Sequence, residues 1–215
     1  LTSILDSTTQ KIYPRADDML ALIADAALDG ARGNSGVILA QFFQGLSDGA
    51  AGVEKMSPES FAKAVQIGTE YSRQALAEPI EGTILTVLMD FSNCLLESIE
   101  SQNHDFERLL ELGINEAEKS LKNTPNLLAV LKNAGVVDAG AQGFVDLLHG
   151  ILNFIKDGDL RGFKAGFKNQ EITFDPINKE SNVENSEFRY CTECLINDEN
   201  IDHKTIRETL QVHGD

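Results

Sequence analysis

The sequence holds no tryptophan, only three cysteines and only five prolines in 215 residues. So odd and sparse a cysteine count argues against a disulfide framework and for a reducing, cytoplasmic setting. Basic residues are scarce as well: eighteen Lys and Arg against thirty-four Asp and Glu give a net charge of −16. A field of that sign repels phosphate backbones and anionic lipid, which sets aside nucleic acid and membrane surfaces as leading partners. An anionic ligand would have to be held by local donors instead. No run approaches the roughly 20 apolar residues of a membrane span. An initiator Met is missing too, since the chain opens Leu1-Thr2-Ser3-Ile4-Leu5, and a longer native protein is expected.

What is present is helical periodicity. Asp17 to Leu28 puts Leu20, Ile23 and Ala27 on one face, and Val37 to Leu46 reads as helix after a glycine-punctuated segment. Ser57-Pro58 has the form of an N-cap followed by a first-turn proline, opening a helix striped by Phe61, Ala64, Val65, Gly68 and Tyr71. Thr83 to Ile99 is apolar nearly all round and predicts a buried, central helix. Phe106 through Leu121 gives another, and Phe144, Val145, Leu148, Ile151, Leu152 and Ile155 the cleanest stripe. Four of the five prolines are expected between helices, with Pro176 in a polar tail. About seven helices, and no convincing strand before residue 170, predict an all-α domain over residues 1–170.

The character then changes. Residues 171–187 read as an acidic linker, 188–196 as a strand and 202–212 as a helix capped by Asp202. One strand and one helix cannot bury a core, so residues 188–215 are expected to begin an α/β domain that the chain does not complete.

Three helix starts are rich in small residues. Gly30-Ala31-Arg32-Gly33-Asn34-Ser35-Gly36 offers successive backbone N–H groups, the Ser35 hydroxyl, the Asn34 amide and the Arg32 cation to phosphate oxygens. It lacks the Gly-Lys-Ser/Thr of a Walker loop, and on pattern alone a tight interhelical turn with close packing at the glycines is the favoured reading. Asp138-Ala139-Gly140-Ala141-Gln142-Gly143 places Asp138 as an N-cap, a position that could also hold a sugar hydroxyl or a metal-bound water. In Glu78-Pro79-Ile80-Glu81-Gly82-Thr83, Thr83 either caps the buried helix or faces a nucleotide. Gathered at one rim of a bundle, the three starts would form a phosphate-accepting mouth.

Other groups carry less. Cys191 and Cys194 have zinc-knuckle spacing but no second pair, and positions three apart on a strand face opposite sides. Cys94 reads as core filler, and His104, His149, His203 and His213 stand at no catalytic spacing. Asp157 and Asp159 flank Gly158 as turn chemistry.

Taken in order, Gly30 to Gln41, Glu81 to Val87 and Val136 to Gly143 resemble the nucleotide-binding domain in the kinase component of fatty acid kinase, a domain related to the ATP-binding L subunit of dihydroxyacetone kinase. Tyr190-Cys191-Thr192-Glu193 resembles the start of the middle domain of those proteins, and of fusions to a fatty-acid-binding DegV-type module. The resemblance implies an eight-helix antiparallel barrel (DhaL-like) binding ATP at one end. It implies that Asn34, Ser35 and Gly36 contact phosphates, that Thr83 and Ile84 line the nucleotide pocket, and that Asp138, Ala139 and Gly140 meet its other side. It also implies two magnesium ions held by a Pro-Asp-Gly-Asp-Thr-Gly type loop, which this sequence does not contain. Asp6, Asp17 and Asp18 do not match that loop, so no metal ligand is assigned.

The leading expectation is therefore the ATP-binding part of a kinase that phosphorylates an acyl carboxylate presented by a DegV-type partner or fused module, without the metal loop that phosphoryl transfer needs. A dihydroxyacetone-type kinase, a non-catalytic nucleotide-binding scaffold and a plain helical bundle remain as alternatives. A homodimer is left open.

Overall fold

The computed structural model describes residues 14–101, 105–157 and 203–210. The chain divides into two units, Leu1–Leu160 and Arg161–Asp215. Within the first, seven helices are described: α1 (Ala16–Gly30), α2 (Gly33–Gly49), α3 (Pro58–Gln74), α4 (Ile84–Glu100), α5 (Phe106–Leu127), α6 (Ala129–Ala134) and α7 (Ala139–Asp157). In the second, α8 (His203–Leu210) is described. All secondary structure among the described residues is helical, as the periodicity predicts. Helix α8 falls within the helix expected over 202–212; the expected linker, the strand over 188–196, Cys191, Cys194 and Asp202 lie outside the described residues.

Local chemistry explains where the helices begin. Ser57 and Ser60 form a reciprocal capping box, each hydroxyl accepting the other's backbone N–H at 3.2 and 2.8 Å, with Pro58 at the first helical position. Asp105 caps α5 by accepting the Arg108 N–H at 2.7 Å. The start of α1 has no side-chain cap, but its first N–H groups bond the Glu54 and Val53 carbonyls at 2.9 and 3.1 Å. Gly135, at φ +67°, ends α6 in the left-handed conformation that favours glycine.

Helices α1 to α5 each pack on the next, and α7 returns against α5 and α4. The α2–α3 crossing is set by small residues. A Cβ on Gly45 would stand 2.7 Å from Gly68 Cα, and one on Gly49 2.8 Å from Ala64 Cα. Because Gly45 pairs with Gly68 while the later Gly49 pairs with the earlier Ala64, the two helices run antiparallel. At the centre, the Phe144 ring of α7 meets Phe42 of α2 and Phe91 of α4 edge-on, each with centroids 5.6 Å apart. These rings close the arc of helices around an apolar core that includes Leu39, Leu88, Leu95 and Leu110. Thr83 to Ile99 is central as expected: Ile84, Val87, Leu88, Phe91 and Leu95 are all at most 1% exposed.

Two expectations need correction. Helix α2 begins at Gly33 rather than Val37, so Asn34, Ser35 and Gly36 belong to its first turn. Pro125 lies inside α5 and not between helices. It sits in the last turn, where a missing N–H takes one bond from the helix end instead of breaking its middle.

Candidate functional site

Contacts link the three small-residue helix starts: Thr124 joins the α4 and α7 starts, and Gly140 of the α7 start meets Ser35 of the α2 start. At the α4 start, Thr83 is the N-cap: its hydroxyl accepts the Leu85 N–H at 3.3 Å and donates to the Ile80 carbonyl at 2.8 Å. Thr86, in the first turn of the helix, ties the preceding corner together. Its hydroxyl accepts the Gly82 N–H at 2.9 Å and donates to Glu81 Oε2 at 2.6 Å. Gly82 has φ +82°, and a Cβ there would lie 2.9 Å from Leu127 Cβ and 3.0 Å from the Thr124 carbonyl oxygen. This corner therefore rests directly on the end of α5, an approach that only glycine permits.

At the α7 start, Asp138 is the N-cap and accepts the Ala141 N–H at 2.8 Å. The Asp138 N–H is itself donated to Thr124 Oγ1 at 3.1 Å. Gly140 then faces the first turn of α2: a Cβ on it would stand 2.8 Å from Ser35 Oγ and 3.3 Å from Asp138 Oδ1. Contact thus runs from Gly82 through Thr124 and Asp138 to Gly140 and Ser35.

The α2 start differs from the other two in its donors. Arg32, in extended backbone, contributes no side-chain cap, and its guanidinium is turned back onto the Asp29 and Ala31 carbonyls. The first N–H groups of a helix have no partner within the helix, so those of Gly33, Asn34 and Ser35 rely on something outside it. Arg32, Gly33, Asn34 and Ser35 are all exposed, and nothing stands within 4 Å of the space a Gly33 Cβ would take. An exposed helix start with the Ser35 hydroxyl beside it suits an anion, which the positive end of the helix dipole favours.

Of the eight residues named from the sequence, Asn34, Ser35 and Ala139 are exposed, while Thr83, Asp138 and Gly140 are half-buried. Gly36 and Ile84 are buried. Ile84 is only 1% exposed, its side chain belonging to the core, so any part it plays at the rim falls to its backbone. Thr86 and Thr124 escaped the sequence reading. The signal for Thr124 was its place before Pro125 in a helical pattern, since such a proline leaves a carbonyl in need of another donor.

Beside the α4 start, a pocket of about 90 Å³ lies against α3, lined by residues that include Arg73, Glu81, Thr86 and Asp90. By itself it is well below the roughly 300 Å³ at which enclosed ligand pockets begin. Burial pushes the Cys94 thiol up, away from the thiolate that nucleophilic or metal-binding chemistry needs. Among the described residues, no three His, Cys, Asp or Glu side chains gather as a metal site. They supply no preformed ligand cluster for a magnesium ion.

The family model of the DAK2 domain matches residues 1–153. The chain belongs to the DAK2 domain family. This is the dihydroxyacetone kinase L-subunit-like kind of nucleotide-binding module, a family that binds ADP or ATP. The whole chain also aligns with an uncharacterized protein of Staphylococcus saprophyticus at 33% identity, covering 40% of that protein. An uncharacterized protein of Staphylococcus aureus strain USA300 matches at 36% identity, again over all of this chain and 40% of the relative. One from Staphylococcus haemolyticus matches at 35% over 87% of this chain and 35% of its own length. The DAK2-containing chain thus spans about 40% of the length of such relatives. No described helix is long and apolar enough to cross a membrane.

Proposed function

We propose that the DAK2 domain binds ATP at the rim formed by the starts of α2, α4 and α7, as the nucleotide module of a kinase. The observation that carries this reading is the meeting of Ser35 with Gly140, which sets the uncapped start of α2 against the start of α7. On this reading the backbone N–H groups of Asn34, Ser35 and Gly36 and the Ser35 hydroxyl hold phosphate oxygens. The absent side chain at Gly140 leaves the Ser35 hydroxyl room to turn toward them. Thr83 and the Ile84 backbone border the nucleotide on the α4 side, and Asp138, Ala139 and Gly140 on the α7 side. With a net charge of −16, phosphate binding rests on these local donors rather than on the global field.

The acceptor we propose is an acyl carboxylate presented by a DegV-type fatty-acid-binding partner or fused module. The support is the resemblance of Tyr190 to Glu193 to the middle domain that follows the barrel in such kinases. The bond from the γ-phosphorus to the β,γ-bridging oxygen breaks as a carboxylate oxygen bonds that phosphorus, giving an acyl phosphate and ADP. Magnesium would neutralise charge on the transferred group; the described residues supply no ligand set for it.

Calorimetric titration of ATP and ADP into the 215-residue chain, with and without magnesium, tests the nucleotide reading. Saturable binding that weakens about tenfold or more in Ser35→Ala is expected, equivalent to about 1.4 kcal/mol. Absence of binding in both conditions would remove the reading and leave a helical scaffold. Phosphorylation of dihydroxyacetone, with none of a protein-bound fatty acid, would reassign the acceptor.

A further inference from the structure

We infer that Thr124 is a positioning residue for the proposed nucleotide rim, holding the α4 and α7 starts in register from beneath; the inference rests on the nucleotide reading above. Its side chain is fully buried, and its hydroxyl makes two bonds at once. It donates to the Leu121 carbonyl at 2.8 Å and accepts the Asp138 N–H at 3.1 Å. The first bond follows from the next residue. An α-helical residue 125 would donate its N–H to the Leu121 carbonyl, but Pro125 has none to give. The Thr124 hydroxyl takes that carbonyl instead, and the commitment of its proton leaves the oxygen facing Asp138 as an acceptor.

One residue thereby serves two helix starts. Through its hydroxyl, Thr124 fixes the backbone of Asp138, whose carboxylate caps α7 two residues before Gly140 meets Ser35. Through its carbonyl, it forms the floor under Gly82, where a Cβ would lie 3.0 Å away, and Gly82 immediately precedes the α4 cap Thr83. The same carbonyl accepts the Leu128 N–H at 3.0 Å, which closes α5 beneath this corner. Thr124 touches no phosphate on this account. It sets the spacing between the α4 and α7 starts that border the nucleotide.

Three variants of the full chain separate positioning from plain stability. Thr124→Ser keeps the hydroxyl and should behave as wild type in ATP affinity. Thr124→Val keeps the volume and removes both bonds, and should bind ATP about five- to tenfold more weakly, the loss expected when a buried donor goes unpaired. The double variant Thr124→Val with Pro125→Ala gives Leu121 a backbone donor again but leaves Asp138 without its acceptor. Its melting temperature should recover toward wild type while the affinity stays low. Amide exchange supplies a readout that needs no nucleotide: Asp138 and Ala141 should exchange at least fivefold faster in Thr124→Val and in the double variant, but not in Thr124→Ser. Unchanged exchange at those amides, or full recovery of affinity in the double variant, would overturn the positioning role. If wild type binds no ATP, the nucleotide reading falls, while the exchange data still decide whether Thr124 holds the α7 start.

Discussion

Ser35 and Gly140 face each other across the starts of α2 and α7 so closely that a methyl group on Gly140 would stand 2.8 Å from the Ser35 hydroxyl oxygen. Gly140→Ala therefore tests the rim without dismantling the core. Alanine is the better helix former by about 1 kcal/mol, and an exposed serine hydroxyl can rotate away from the new methyl group. We expect a melting temperature within a few degrees of wild type and an ATP affinity at least tenfold lower, measured by calorimetry on the same preparation. Unchanged affinity would show that Ser35 does not contribute its hydroxyl to the ligand.

At the α2–α3 crossing the expectation is reversed. A Cβ on Gly45 would lie 2.7 Å from both the Gly68 Cα and the Ile67 carbonyl oxygen, which are backbone atoms that cannot rotate aside. Gly45→Ala should lower stability by about 1–3 kcal/mol by forcing the helices apart, in spite of the gain in helix propensity. Urea denaturation monitored by circular dichroism would measure this, and a neutral result would mean that the two helices can separate at little cost.

Ser120 carries a buried hydroxyl that finds no hydrogen-bond partner among the described residues. An unsatisfied buried hydroxyl costs about 1–3 kcal/mol, and replacing it with a methyl group removes that cost. Ser120→Ala is expected to stabilise the protein by about 1 kcal/mol, read as a higher denaturation midpoint at unchanged slope. A loss of stability would show that the hydroxyl has a partner after all.

Across α5 and α7, Lys156 Nζ lies 2.6 Å from Glu111 Oε1 and 3.6 Å from Glu107 Oε1. The hydrogen bond from Lys156, and then that from Arg108, hold the Glu111 carboxyl below the ordinary glutamate range. A carboxylate with a depressed folded-state pKa stabilises the fold above its unfolded value, and that contribution is lost as pH falls through the depressed one. Because the pair is exposed, the effect should be small and weakened by salt. In Lys156→Met, an NMR titration should show the Glu111 carboxyl moving up toward its ordinary value, with less acid sensitivity between the two. A titration curve identical to wild type would break the assignment.

The helix-forming stripes, the Ser57-Pro58 start and the caps at Thr83 and Asp138 were legible in the sequence, because each depends on residues within a turn or two of one another. The order of the three small-residue clusters was also enough to suggest the family. Contacts between elements were not legible in the same way. Nothing local indicates that Gly82 must rest on the Thr124 carbonyl, or that Gly140 must face Ser35 from more than a hundred residues away.

The chain alone determined an all-helical domain and three helix starts rich in small residues, since periodicity, capping and glycine content are short-range properties of the covalent sequence. Only the tertiary structure decided that these starts share one rim, with the end of α5 wedged beneath two of them. It also drew Ile84 into the core while leaving Asn34 and Ser35 in solvent. The physical reason is packing: which side chains are buried and which helix ends meet is settled by apolar faces seeking cover against distant elements, a choice no single segment makes for itself.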